Sequence, residues 1–118
     1  MLNTIRADEI RKEILKIEKD QEEAGQCIRK LRLEEEDANE ELRDCLSRIS
    51  IEFEACHGDA RLTAIMEEKY NLLLKMERES GEFLDNLHEE QKTVNNKCEA
   101  DIDELKQELQ RLEVLTIE

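Results

Sequence analysis

Cys56-His57-Gly58-Asp59 lies at the midpoint of the chain, with a long run of helix-forming residues on either side. The 118 residues contain no proline, and glycine occurs only at Gly25, Gly58 and Gly81. A reversal at Gly58 therefore predicts an all-α fold: an antiparallel two-helix hairpin of coiled-coil type, completing a helical bundle with partner chains. Its arms should cover about residues 5–55 and 60–115 and its turn about 56–59, in one unit spanning 1–118. Gly58 supplies the conformational freedom for the reversal, and Asp59 is placed to cap the second helix by accepting a backbone hydrogen bond. A hairpin this thin has little interior for a catalytic pocket, so the chain should work through its surfaces.

Charged residues make up 42% of the chain and aromatic residues 3%, the profile of a coiled coil or long helix. Disordered chains share the charge but lack a sustained apolar period, and this sequence has one. In the first arm the period runs Ile10, Ile14, Ile17, Gln21, Ala24, Ile28, Leu31, Glu35, Ala38, Leu42, Cys45, Ile49 in alternating steps of four and three. At about 1.5 Å per residue that arm would reach roughly 70 Å. Gln21 and Glu35 interrupt the stripe, either as register markers in the seam or as polar contacts to a partner.

The second arm reads Leu62, Met66, Lys69, Leu73, Met76, Ser80, Phe83, Leu87, Glu90, Val94, then Cys98, Ile102, Leu105, Leu109 and Leu112. The two successive four-residue steps from Val94 to Ile102 shift the phase, which predicts local unwinding of any supercoil beside the weak helix formers Thr93, Asn95 and Asn96, without forcing a break in the helix. Ile49, Ile51 and Phe53 alternate with period two, as in a short strand, although the flanking sequence favours helix.

The apolar stripe becomes too wide for one partner helix near the turn. Leu72, Leu73 and Leu74 are consecutive and so point about 100° apart on a helix. Ile65, Met66, Tyr70 and Met76 widen the patch, and Leu46, Ile51 and Phe53 do the same across the turn, beside Cys45 and Ile49. Exposing such a patch is unusual, because burying each large side chain is worth about 1.5–3 kcal/mol. The candidate partner-binding residues are therefore Leu46, Ile51, Phe53, Ile65, Tyr70, Leu72 and Leu74. Leu109, Leu112, Val114, Leu115 and Ile117 give a weaker signal of the same kind at the end of the second arm. Self-association into a four-helix bundle is the alternative way of covering these surfaces.

Charge and chemistry narrow the function further. Residues 1–57 carry ten Lys or Arg against sixteen Asp or Glu, net −6, and residues 58–118 carry eight against sixteen, net −8. Neither half is a nucleic-acid or anionic-membrane surface, although an acidic rod that imitates a phosphate backbone would inhibit a nucleic-acid-binding protein. No stretch approaches the roughly 18 apolar residues of a membrane span, and the N-terminus lacks the blocks of a signal peptide, so a cytoplasmic protein is expected. Cys27, Cys45, Cys56 and Cys98 lack zinc-ligand spacing, and in a hairpin about Gly58 no two of them face each other; reduced thiols and no metal are expected. His57 and His88 read as ordinary surface histidines. Without a phosphate loop, nucleophile elbow or metalloprotease motif, the sequence points to no enzyme and no cofactor.

The charged first arm (Ile10-Arg11-Lys12-Glu13-Ile14), the turn from Phe53 to Gly58 and the second-arm segment Phe83-Leu84-Asp85-Asn86-Leu87-His88-Glu89-Glu90-Gln91 together resemble a family of small helical proteins. These are encoded beside LXG-domain toxins in Gram-positive type VII secretion loci, and the likeness is to the second of the two families of LXG-associated α-helical proteins. It covers roughly Ile10 to Leu112 in pattern and length. Cys56-His57-Gly58 stands where related hairpins carry Trp-x-Gly. There is no clear C-terminal export motif of the Tyr-x-x-x-Asp/Glu or Phe-x-x-x-Asp kind, Phe83 to Leu87 sharing only part of that spacing, so the companion protein is expected to supply any transport signal. The resemblance implies a non-enzymatic targeting factor or chaperone that binds the helical N-terminal domain of a toxin together with a second small helical protein. It also leaves open co-export with that partner. Two other readings fit a charged hairpin: a coiled-coil stalk or chaperone of a flagellar or type III export apparatus, and a prefoldin-like chaperone subunit, which requires a strand at Ile49 to Phe53.

Overall fold

The computed structural model describes residues 2–56 and 58–117, with side chains through residue 115. Two helices, α1 (Leu2–Ala55) and α2 (Ala60–Ile117), form a helical hairpin, and there is no strand among the described residues. Residues 49–53 are helical. In a strand Ile49, Ile51 and Phe53 would share one face; here Ile49 and Phe53, one helical turn apart, are half-buried while Ile51 is 69% exposed. The strand that a prefoldin-like subunit needs is thus absent from that stretch. No described helix is long and apolar enough to cross a membrane.

The reversal is built by a few local bonds. Gly58 has φ 105°, a conformation that side-chain-bearing residues rarely adopt. Asp59 Oδ1 accepts from the backbone N–H groups of Arg61 and Leu62, both at 3.1 Å, satisfying two of the donors orphaned at the start of α2. The Asp59 N–H donates to Cys56 O at 3.2 Å, and Thr63 Oγ1 donates to the same carbonyl at 3.4 Å. Thr63 therefore turns toward the end of α1. The contact places Thr63 on the side of α2 that meets α1.

Packing divides the hairpin into two units, a terminal one of residues 1–29 with 89–118 and a turn-proximal one of residues 30–88. The terminal unit has an apolar core. Ile10, fully buried, packs with Ile14 and Ile102, and Ile17, Leu105, Leu109 and Leu112 close around them. Ala7 and Ile28 are buried in the same unit. Gln21 Nε2 donates to Asn95 Oδ1 at 3.2 Å across the seam, so this interruption of the stripe bonds within the chain. At the edge, Arg6 forms a two-bond fork with Glu108 at 3.1 and 3.3 Å. That bonding raises the Arg6 pKa above its ordinary value.

Helix α2 runs unbroken through Thr93 to Asn96, a run of weak helix formers that forces no break. Thr93 Oγ1 bonds back to the Glu89 carbonyl at 3.0 Å without interrupting the helix. Beyond the shift in phase the covered stripe widens instead, taking in the adjacent pairs Asp101 with Ile102 and Glu108 with Leu109. Gln91, half-buried, takes the seam position expected of Glu90, which is exposed.

Candidate functional site

The turn-proximal unit is constructed differently. Its only buried side chains among the described residues are Asn39 and Ser80, and both are polar. Asn39 Nδ2 donates to Ser80 Oγ at 3.0 Å, so the layer is satisfied but supplies no apolar core. Around it Leu42, Leu46, Ile49 and Phe53 of α1 and Met66, Tyr70, Leu73 and Leu84 of α2 are half-buried. Asn39 takes the place expected of Ala38, which is exposed, as is Leu31.

The seam of α2 corrects the sequence reading in a systematic way. Met66, Leu73, Ser80 and Leu87 face inward as expected, but the alternate positions are Thr63, Tyr70, Glu77 and Leu84, each one residue beyond the expected Leu62, Lys69, Met76 and Phe83. Apolar content favours the latter set, which is why periodicity selects it. The turn decides otherwise. With Thr63 bonded to the end of α1, steps of three and four carry Met66, Tyr70, Leu73, Glu77 and Ser80 inward in succession.

Leu62, Ile65, Leu72, Met76 and Phe83 are therefore turned about 100° away from α1 and form a second stripe of the same spacing, exposed along its length. Leu72 is 58% exposed and Ile65 45%. Beside this stripe runs a groove lined by Ala38, Leu42 and Cys45 of α1 and Met76 and Ser80 of α2, together with Glu41, Glu79 and the half-buried seam residue Glu35. The opposite side of the unit is more polar, with Ser50, Glu67 and Asn71 around Phe53 and Tyr70, and with Arg43 Nε 3.8 Å from Glu77 Oε1.

Of the seven residues expected to bind a partner, Ile65 and Leu72 come together on the exposed stripe. Leu46, Phe53 and Tyr70 are half-buried in the seam. Ile51 and Leu74 are exposed but stand elsewhere: Ile51 two residues past the seam residue Ile49, on the outer side of α1, and Leu74 on the other flank of α2 from Leu72. Leu62, Met76 and Phe83 complete the surface, and periodicity had placed them in the seam. Counting from the cap at Asp59 to Thr63 would have found them.

Cys27 is exposed, Cys45, Cys56 and Cys98 are half-buried, and all four are free thiols. Among the described residues no three His, Cys, Asp or Glu side chains are grouped to hold a metal ion. His88 is exposed; His57 and the side chain of Ile117 lie outside what the structure describes. Near the end of α2, Leu109 and Leu112 belong to the terminal core, whereas Val114 and Leu115 line a shallow surface depression with Gln107, Gln110 and Arg111. No protein-family model, curated protein or solved structure matches this chain.

Proposed function

We propose that this protein is a non-enzymatic helix-binding adaptor, and that it serves as a targeting factor or chaperone for the helical N-terminal domain of an LXG toxin in type VII secretion. The observation that carries the helix-binding reading is the turn-proximal unit. It lacks a buried apolar side chain among its described residues and yet exposes Leu62, Ile65, Leu72, Met76 and Phe83 in one helical stripe. A stripe of that spacing accepts another helix by the packing that joins α1 to α2. The toxin and the secretion route rest on the resemblance in sequence.

The energetics assign different tasks to different groups. Covering five half-exposed side chains yields roughly 1 kcal/mol each, or roughly 5 kcal/mol together. Immobilising a partner costs about 4–15 kcal/mol. The stripe alone therefore gives weak association. A second helix closing over the other flank, and charge matched at the margins, are needed to reach stable and selective binding. A cargo domain and a second small helical protein would supply both, and the protein would act as two staves of a mixed bundle that holds the toxin ready for export.

Co-expression with the helical domain of the toxin encoded beside it tests this reading. A complex that survives size-exclusion chromatography is expected, and deletion of the protein should stop secretion of that toxin while unrelated substrates are exported normally. Normal export of the toxin in the deletion strain would remove the targeting role and leave a general helix-binding adaptor.

A further inference from the structure

The groove beside the exposed stripe has a distinctive charge. Glu35, Glu41 and Glu79 are its only charged lining residues among those described, and no Lys or Arg lines it. Along α2 the outer flank of the stripe is Arg61, Glu68, Lys75 and Glu82, two charges of each sign, so the acidic bias comes from the groove itself, with Glu79 standing in the stripe one heptad beyond Leu72. Two lysines stand nearby: Lys75 is drawn to Glu79 at 4.0 Å, and Lys69 interrupts the stripe itself. From Leu62 to Phe83 the apolar residues extend over about 32 Å of helix, the length of a partner segment of about 21 residues.

Resting on the helix-binding reading above, we infer that the occupant of this groove is one amphipathic helix of another chain, with an aliphatic ridge in steps of three and four and with Lys or Arg along both flanks. Basic flanks would lie against Glu41 on one margin and Glu79 on the other. A second copy of this chain fits poorly. Residues 30–88 carry eight Lys or Arg against sixteen Asp or Glu, so pairing two such units through this face would bring net charges of −8 together. At physiological salt the repulsion acts over about 8 Å, the separation of packed helices. The acidic margins thus favour a basic helix and oppose self-pairing on the same surface, which is how a groove tolerant of many apolar ridges selects among them.

Three synthetic peptides of about 21 residues and the full chain test this. The first has a Leu/Ile ridge with Lys flanks, the second the same ridge with Glu flanks, and the third the composition of the first in an order without a ridge. Fluorescence anisotropy should show the Lys-flanked helix binding at least about tenfold more tightly than the Glu-flanked one, weakening as salt rises. Leu72→Asp and, separately, Met76→Gln should abolish or sharply reduce that binding, while Ile51→Asp should leave it unchanged. Leu72→Asp adds a negative charge, so attraction of charge alone would strengthen and a loss reports the apolar groove. Circular dichroism identifies any variant that has lost its helix, and Met76→Gln then carries the test because it changes no charge.

Equal affinity for the two ridged peptides would overturn the basic flank and leave helix binding standing. Equal affinity for the ridged and unridged Lys peptides would overturn the groove as the site. If no peptide binds and the chain sediments as a dimer that Leu72→Asp dissociates, the occupant is a second copy and the inference is wrong. If no peptide binds and the chain is monomeric, the inference is wrong, and the helix-binding reading then stands or falls with the co-expressed complex, in which a second helix is also supplied. The toxin assignment is judged separately, by co-expression.

Discussion

Gly58 and Asp59 contribute to the reversal by different physics, and the two can be separated. A Cβ built on Gly58 would meet nothing within 4 Å, so replacing it costs through backbone conformation at φ 105° and not through collision. Gly58→Ala should lower stability by about 1–3 kcal/mol in urea unfolding. Asp59→Ala, which removes an oxygen serving two N–H groups, should cost about 1 kcal/mol. An alanine at 58 with no effect would mean that the turn has another accessible geometry. The Asn39–Ser80 bond gives a sharper test, because both partners are buried. Asn39→Ala alone should cost about 1–3 kcal/mol by leaving the Ser80 hydroxyl without its partner, whereas Asn39→Leu with Ser80→Ala should be near neutral or stabilising. A double variant as destabilised as the single one would show that the layer contributes more than a satisfied hydrogen bond.

At the scale of one helix, the phase of α2 is the decisive quantity. Its first turn is set by Thr63 against Cys56, and the apolar set Leu62, Ile65, Leu72, Met76 and Phe83 consequently faces outward. Inserting one alanine after Ala60 and deleting Glu90 would rotate only the turn-proximal part of α2 by about 100°, leaving the phase around Ile102 unchanged. The same shift carries Lys69, Glu79 and Asn86 to the inward places of Tyr70, buried Ser80 and Leu87, so Lys69→Leu, Glu79→Ser and Asn86→Leu are made with it. The combined variant should be more thermostable than the natural chain, because Leu62, Ile65, Leu72 and Met76 would replace Thr63, Met66, Leu73 and Glu77 against α1 without burying a charge. It should also lose binding to the Lys-flanked peptide. Higher stability with retained binding would show that the exposed stripe is not the contact surface. Part of this arrangement was legible in the sequence: the repeat, the wide patch and the positions 66, 73, 80 and 87 all follow from apolar spacing. The choice between Leu62 and Thr63 as the first inward residue did not, because two neighbouring stripes had comparable claims and the geometry of the turn, with Thr63 directed at the end of α1, goes with the less apolar one.

For the molecule as a whole, the contrast between the two units governs behaviour. Apolar burial is concentrated in the terminal unit around Ile10, Ile14 and Ile102, while the turn-proximal unit encloses a polar pair. Native-state hydrogen exchange should therefore show stronger protection at residues 7–28 and 91–112 than at residues 35–53 and 63–87 in the free chain. Binding of a helix should raise protection chiefly in the second set. Ile10→Ala should cost about 2–5 kcal/mol, whereas Ile51→Asp on the outer side of α1 should change stability by less than about 0.5 kcal/mol. Uniform protection along both helices would mean that the turn-proximal unit is stable by itself and needs no cover. The sequence alone determined that this chain is a hairpin of two long helices: helix propensity without proline, the heptad repeat and a glycine at the midpoint are local properties, and they add up along the chain whatever the helices touch. Tertiary structure decided which of the apolar residues are covered. Spacing places residues on a helix face, but which face meets the neighbour depends on the angle at which the helix leaves the turn, and that angle is fixed only when Gly58, Asp59, Thr63 and the end of α1 come together.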